Sequence, residues 1–282
     1  MDWKRAIWIL VVSFFVLNIV LVANLFIKTM PGESFKLEED QQKALMTYLE
    51  SRGIKFETQL PDKGVAVPFL EVGRESSDQE KLVEMFFSEG VERVEKIEGG
   101  EKFISGRRQL ILMESGSVIF EDGEATEEVP ELNGERALQI AEKFVKDHGG
   151  LPEHAKLNYV RYEPKTGGYV VEYVGNYRGF FVANSYIRLL VTRSGVVRFE
   201  RNFLKPIGFE GKRRHVIPPL TAVMKVDAER KSNSPTVVKK VEQGFYSQFY
   251  NAERWLAAPV WKVELESGEI YYVNAYTGEL ER

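Results

Sequence analysis

Apolar and polar positions divide this chain into a uniformly apolar start and a long remainder of short periodic runs separated by turn-formers. Ala6–Ile27 is a stretch of 22 residues without a charge, in which only Ser13, Asn18 and Asn24 are appreciably polar. At about 1.5 Å per residue such a helix reaches roughly 33 Å, enough to cross a hydrocarbon layer of about 30 Å. Lys4 and Arg5 precede it, Trp3 and Trp8 stand where an aromatic belt lies, and Lys28 closes it. This arrangement predicts one transmembrane helix with a cytoplasmic N-terminus and everything after it outside. A cleaved signal peptide is the competing reading. The apolar core is too long for one, and Val22-Ala23-Asn24-Leu25-Phe26 offers no small-x-small site.

Beyond the polar breaker Met30-Pro31-Gly32, Ala44, Leu45, Tyr48 and Leu49 recur at helical spacing and predict a helix over Glu38–Ser51. Ile54–Thr58 and Val65–Val72 read as strands. A short helix at Ser77–Ser88 buries Leu82, Val83, Met85 and Phe86, and Val91–Ile97, Glu101–Met113 and Ser117–Glu121 follow as strands. Glu121–Glu131 is acidic, contains Asp122-Gly123 and Pro130, and lacks periodicity. It marks a domain boundary, the alternative being one long hairpin loop inside a single domain. Asn133 then caps a helix Gly134–His148 whose buried stripe is Ala137, Leu138, Ala141, Phe144 and Val145. Strands are expected at Lys156–Glu163, Gly168–Tyr177, Asn184–Thr192 and Val196–Leu204. Pro218-Pro219 opens a helix Leu220–Arg230, and the last strands are Thr236–Gln243, Gln248–Glu253, Pro259–Leu265 and Glu269–Asn274.

Helices beside runs of strands, without strict alternation, predict an α+β ectodomain with helices packed on antiparallel sheets. The expected organisation is a cytoplasmic N-terminus (1–5), a transmembrane helix (6–27), a juxtamembrane linker (28–40) and two extracytoplasmic α+β domains (41–130 and 131–282).

Composition narrows the function. A net charge of −4 gives nucleic acid no basic face. Without cysteine the core is stable by burial alone, and thiol nucleophiles and iron–sulfur clusters are excluded. The Gly-x-Ser-x-Gly, His-Glu-x-x-His, Gly-x-x-x-x-Gly-Lys-Ser/Thr and Gly-x-Gly-x-x-Gly motifs are all missing. Of the three histidines, His148, His154 and His215, none stands at metal-ligand spacing from another, and His148 near a helix C-terminus is expected to favour its charged form. Carboxylates in strands alternate with apolar residues, as in Val263-Glu264-Leu265-Glu266, the pattern of a solvated sheet face. Lys212-Arg213-Arg214 reads as a solvated loop or as a contact for anionic headgroups and wall polymers.

Two sets of residues invite a partner. Tyr177, Arg178, Phe180 and Phe181 lie near a turn and make a candidate ectodomain interface, against the plainer reading of core packing. In the apolar segment Ser13 and Asn24 fall on nearly one line while Asn18 faces elsewhere, so these three are the candidate contacts with neighbouring membrane helices. The alternative for Asn18 is a bond to its own helix backbone.

Met1-Asp2-Trp3-Lys4-Arg5 running into an apolar helix with Leu17-Asn18-Ile19, together with Ala258-Pro259-Val260-Trp261-Lys262-Val263 and Tyr271-Tyr272-Val273-Asn274-Ala275-Tyr276-Thr277-Gly278-Glu279, resembles the YycI (WalI) family. The C-terminal hairpin by itself is similar to PepSY-type domains. The resemblance implies a non-enzymatic regulator of the WalK–WalR (YycG–YycF) two-component system of low-GC Gram-positive bacteria, in the cell membrane beside a WalK-type sensor histidine kinase and a YycH-like accessory protein. It implies no catalytic residue, cofactor, metal or small-molecule substrate, and leaves the sign of regulation open. The alternative is a PepSY-like binding module that inhibits an exported protease or cell-wall hydrolase.

Overall fold

The computed structural model describes Phe14, Leu17, Asn18 and residues 38–74, 78–230, 234–248 and 252–281. Phe14, Leu17 and Asn18 are helical, and the rest of Ala6–Ile27 lies outside the described residues. Among the described residues no helix is long and apolar enough to cross a membrane.

From residue 38 on the fold is α+β, dominated by sheet. Helix α1 (Glu39–Ser51), β1 (Ile54–Phe56) and β2 (Val67–Arg74) open it. Helix α2 (Gln79–Phe86) then leads into β3 (Arg93–Ile97), β4 (Gly100–Ser105), β5 (Arg108–Met113) and β6 (Val118–Asp122). Helix α3 (Gly134–Asp147) leads into β7 (Ala155–Glu163), β8 (Gly168–Tyr177), β9 (Phe180–Thr192) and β10 (Gly195–Asn202). After β11 (Leu204–Arg214), α4 (Pro219–Glu229) leads into β12 (Thr236–Tyr246), β13 (Arg254–Leu265), β14 (Ile270–Asn274) and β15 (Leu280–Glu281). A helix followed by an antiparallel meander is therefore the recurring unit of this fold.

The units led by α2 and α3 join through their last strands. β6 and β10 pair antiparallel with Phe120 opposite Phe199, giving one continuous order β3-β4-β5-β6-β10-β9-β8-β7. Both helices cover the same face, where Phe86, Ala137, Ala141 and Val145 meet Leu110, Phe120, Ile187, Leu189 and Phe199. α3 starts as expected, with Asn133 Oδ1 accepting from the Arg136 amide at 2.9 Å, which satisfies an N–H the first turn leaves unpaired. In the other half α1 and α4 cover β12 and β13 around the fully buried Trp261, whose indole N–H donates to the Ile217 carbonyl at 2.8 Å.

β9 belongs to both halves. Its start, Phe181–Val182, pairs parallel with Gly244–Phe245 of β12, while its later residues pair with β10. A Cβ at Gly244 would lie 2.4 Å from the Phe181 ring, so only glycine lets the two strands approach this closely.

Several expected strands differ. Glu101–Met113 is two strands, because Gly106 takes φ 58° and reverses the chain between β4 and β5. β9 begins at Phe180, ahead of the expected Asn184. β11 extends over a stretch where Pro206, Gly208 and Gly211 obscure any alternation, and its ladder with β2 shifts register twice. Gln248, Ala252 and Glu253 lie in no strand. The pairing also crosses residue 130: β6 meets β10, β1 meets β12, and β2 meets both β11 and β13.

Candidate functional site

Beyond residue 37 the first described element is α1. Leu49 is fully buried against the core under α4. Arg52 then ends the helix, and Gly53, at φ 78°, turns the chain into β1, where Ile54, Lys55 and Phe56 pair parallel with Thr236, Val237 and Val238. Arg52 Nε donates to Asp227 Oδ2 at 3.0 Å, and Arg230 Nη2 donates to Oδ1 at 3.0 Å. Asp227 is 4% exposed. Burial by itself would raise its carboxyl; the hydrogen bonds and charges of Arg230 and Arg52 outweigh that and hold it below the usual range. This carboxylate is a clamp between α1 and α4, with each oxygen bound to a guanidinium.

The Tyr177–Phe181 corner is the β8–β9 turn. Arg178 and Gly179 both have positive φ (52° and 93°), the geometry of a tight two-residue hairpin. Phe180 and Phe181 are each 8% exposed, Phe180 edge-on to Phe245 and Phe181 beneath the Lys262 ammonium and beside Tyr272. Tyr177 is half-buried edge-on to Phe209, and the Arg178 guanidinium lies over both rings. Of these four residues only Arg178 is exposed. The two phenylalanines turn inward because β9 starts with them and its first residues form the seam with β12.

On the face of the eight-stranded order away from α2 and α3, one transverse row reads Lys102, Ile111, Ile119, Glu200, Arg188, Glu172 and Tyr159. Glu172 is 6% exposed and accepts from Arg188 Nε at 2.8 Å, Asn158 Nδ2 at 2.9 Å and the Tyr159 hydroxyl at 3.1 Å. Burial opposes the Arg188 charge, and its bond to Glu172 more than restores it. The expectation that strand carboxylates are solvated fails at Glu172, since its cross-strand neighbours cover it. On the helix side a cavity of about 510 Å³ opens between α3 and the segment Asp122–Glu127, over Phe120 and Val196. His148 borders it, stacked on Phe144 at 3.9 Å with Nδ1 2.7 Å from the Phe144 carbonyl. Burial lowers its pKa despite that carbonyl and Asp147, so the charged form expected at a helix end is disfavoured. Among the described residues no group of three or more His, Asp or Glu is placed to hold a metal ion.

Of the three polar residues of the apolar segment, Ser13 and Asn24 lie outside the described residues. The Asn18 amide donates to the Phe14 carbonyl at 2.8 Å, the bond to its own helix backbone. That uses one of the two N–H groups of the amide. Sequence reasoning missed Asp227. Its signal was faint: an aspartate in the last turn of α4 with an arginine three residues on at the helix end, and an arginine 175 positions away in the chain.

Residues 33–276 match the family model described as YycI protein. No curated protein matches the chain. Among solved structures the chain is similar to an uncharacterized protein from Eubacterium rectale ATCC 33656, at 12% identity over 82% of this chain and 91% of that one, with a TM-score of 0.55. At that identity the likeness shows the fold alone.

Proposed function

The chain belongs to the YycI family, accessory regulators of the WalK–WalR two-component system, and from that premise we propose that it is a bitopic, non-enzymatic regulator of a WalK-type sensor histidine kinase. Ala6–Ile27 spans the cell membrane once with residues 1–5 in the cytoplasm, and the ectodomain lies outside beside a YycH-like partner. Ser13, Asn18 and Asn24 face neighbouring helices. The observation that carries the reading is the family match over residues 33–276, a few residues after a charge-free segment of membrane-spanning length.

Mechanically, a regulator shifts a kinase only if it binds one signalling state better than the other. The clamp at Asp227 supports this, because α1 is tied to α4 and β1 is stitched to β12, so a displacement of α1 reaches the core around Trp261. Exchanging Ala6–Ile27 for an unrelated apolar helix of equal length tests it. Regulation of a kinase-dependent reporter should vanish while the ectodomain still reaches the cell surface; unchanged reporter output refutes the helix contact.

The recurring helix-plus-meander unit favours a second reading, a PepSY-like module that inhibits an exported protease or wall hydrolase. Inhibition of such an enzyme by the ectodomain freed from the membrane would decide for it.

A further inference from the structure

The eight-stranded order ends at β3 on one side and β7 on the other, and the free edges of this protein are unlike one another. β7 carries a register shift between Leu157 and Tyr159. β11, the outer strand of the other half, carries Pro206 and two register shifts, and β15 is two residues long. Bulges, proline and shortness are devices that stop a strand edge from accepting a neighbour. Edge charge, lysine above all, is a further device; β3 has no bulge and no proline, and carries only that charge, in Arg93, Glu95 and Lys96. It runs regularly from Arg93 to Ile97, and among the described residues it pairs with β4 alone. Val94 is 52% and Ile97 37% exposed, although Val94 stands opposite the buried Phe103 on the helix face.

The residues of this edge complement themselves. Two copies of β3 related by a two-fold axis normal to the sheet run antiparallel, and that symmetry keeps the helix face of both copies on the same side. Opposed residues must then share parity. Centred on Val94, the pairing sets Val94 against Val94 and Arg93 against Glu95 twice, while Lys96 falls toward Glu92 in the bend that precedes the partner strand. Within β3 apolar meets apolar and Arg93 meets its opposite charge. Centred on Glu95 it sets two carboxylates face to face, a destabilising arrangement. A slip by one residue would turn the helix face of one copy toward the uncovered face of the other. Arg93 and Glu95 already form an ion pair within the strand at 2.8 Å, so both side chains are extended along one face and ready to be shared. The same device operates inside the chain, where β6 and β10 join two helix-plus-meander units edge to edge.

We propose that β3 is a homodimerisation edge, at which a second copy of this chain adds antiparallel about Val94 and continues the sheet across the two-fold axis. The ladder is short and the pairing weak, and Val94 is the residue buried at its centre.

The absence of cysteine makes the test direct. In the full-length chain, Val94→Cys places two thiols across the axis at the roughly 4.5–5.5 Å Cβ separation of opposed residues, and a small closing of this weak ladder brings them within the about 3.5–4.5 Å of a disulfide under a mild oxidant. The expected product is a disulfide-linked homodimer, at a yield well above that of Tyr162→Cys, an equally exposed position on the β7 edge (52%). Adding Arg93→Glu should weaken dimerisation roughly tenfold, by opposing like charges twice. Adding Glu95→Arg as well restores the complementarity and should restore the yield. Thermal unfolding of each variant confirms an intact fold. Equal yields from Val94→Cys and Tyr162→Cys, cross-linking to a different protein in place of a second copy, or a charge swap that fails to rescue would overturn the proposal.

Discussion

Replacing Asp227 by alanine should separate α1 from α4 and destabilise that half of the protein. In the native chain the carboxylate is 4% exposed and binds Arg52 and Arg230 at 3.0 Å each. Without it the Arg230 guanidinium, whose side chain is 7% exposed, keeps its charge in a buried position with its main counterion gone. Breaking a buried pair from one side costs about 3–5 kcal/mol. The 37% exposure of the Arg52 side chain lets water take over that contact, which places the expected loss near ~3 kcal/mol. For a domain of this size that corresponds to a fall in Tm of roughly 6–12 °C. Asp227→Asn, which keeps the shape and one acceptor, should fall between alanine and the native residue. The sign of the pH dependence follows from the direction of the shift. A carboxyl held below its unfolded pKa contributes stability that is complete above the ordinary carboxylate range and is lost as pH falls through the lower folded value. Asp227→Asn should therefore lie closest to the native protein in acid and furthest from it near neutral pH. Thermal unfolding followed by tryptophan fluorescence reads this, since Trp261 sits in the core that the clamp secures. A Tm within about 2 °C of the native value, or a loss equally large at pH 3 and pH 7, would refute the buried-clamp reasoning.

Two further perturbations probe other joints. Gly244→Ala puts a methyl group 2.4 Å from the Phe181 ring and 2.5 Å from its carbonyl, so the β9–β12 seam must spread; overpacking of this kind costs about 1–3 kcal/mol, to be read from the denaturant midpoint. His148 is held below its ordinary pKa of 6.5 by burial, so its contribution is present above pH 6.5 and lost as pH falls through the lower folded value. His148→Phe should flatten stability against pH in that window while keeping the stacking on Phe144, and an unchanged profile would show that another group titrates there.

The local chemistry of the chain was legible without coordinates. Asn133 and Gly134–Asp147 announce themselves as a capped amphipathic helix, because a cap and a stripe at 3.6-residue spacing are properties of neighbours in sequence. The β7–β8 hairpin and the helix after Pro218-Pro219 are legible for the same reason. The residues that carry the family resemblance near the two ends were likewise present in the linear chain, as was the apolar segment with its three polar residues.

What the tertiary structure decided is which distant groups share a dielectric and a partner. Nothing near Asp227 in the chain shows that Arg52 closes on it, since that contact exists only once β1 lies along β12. Phe180 and Phe181 read from sequence as core or as interface, and the structure makes them core because β9 crosses from one half of the fold to the other. Glu172 alternates as a solvated acid should, and is buried because Arg188 and Tyr159 arrive on adjacent strands. Edge status belongs to the same class. Val94 is an ordinary strand valine in sequence, and only the order of strands in the completed sheet leaves it open to a second chain. Periodicity is a short-range property and the residues themselves determine it; burial, pairing and exposure depend on contacts between residues far apart, which the sequence implies only through the folded structure.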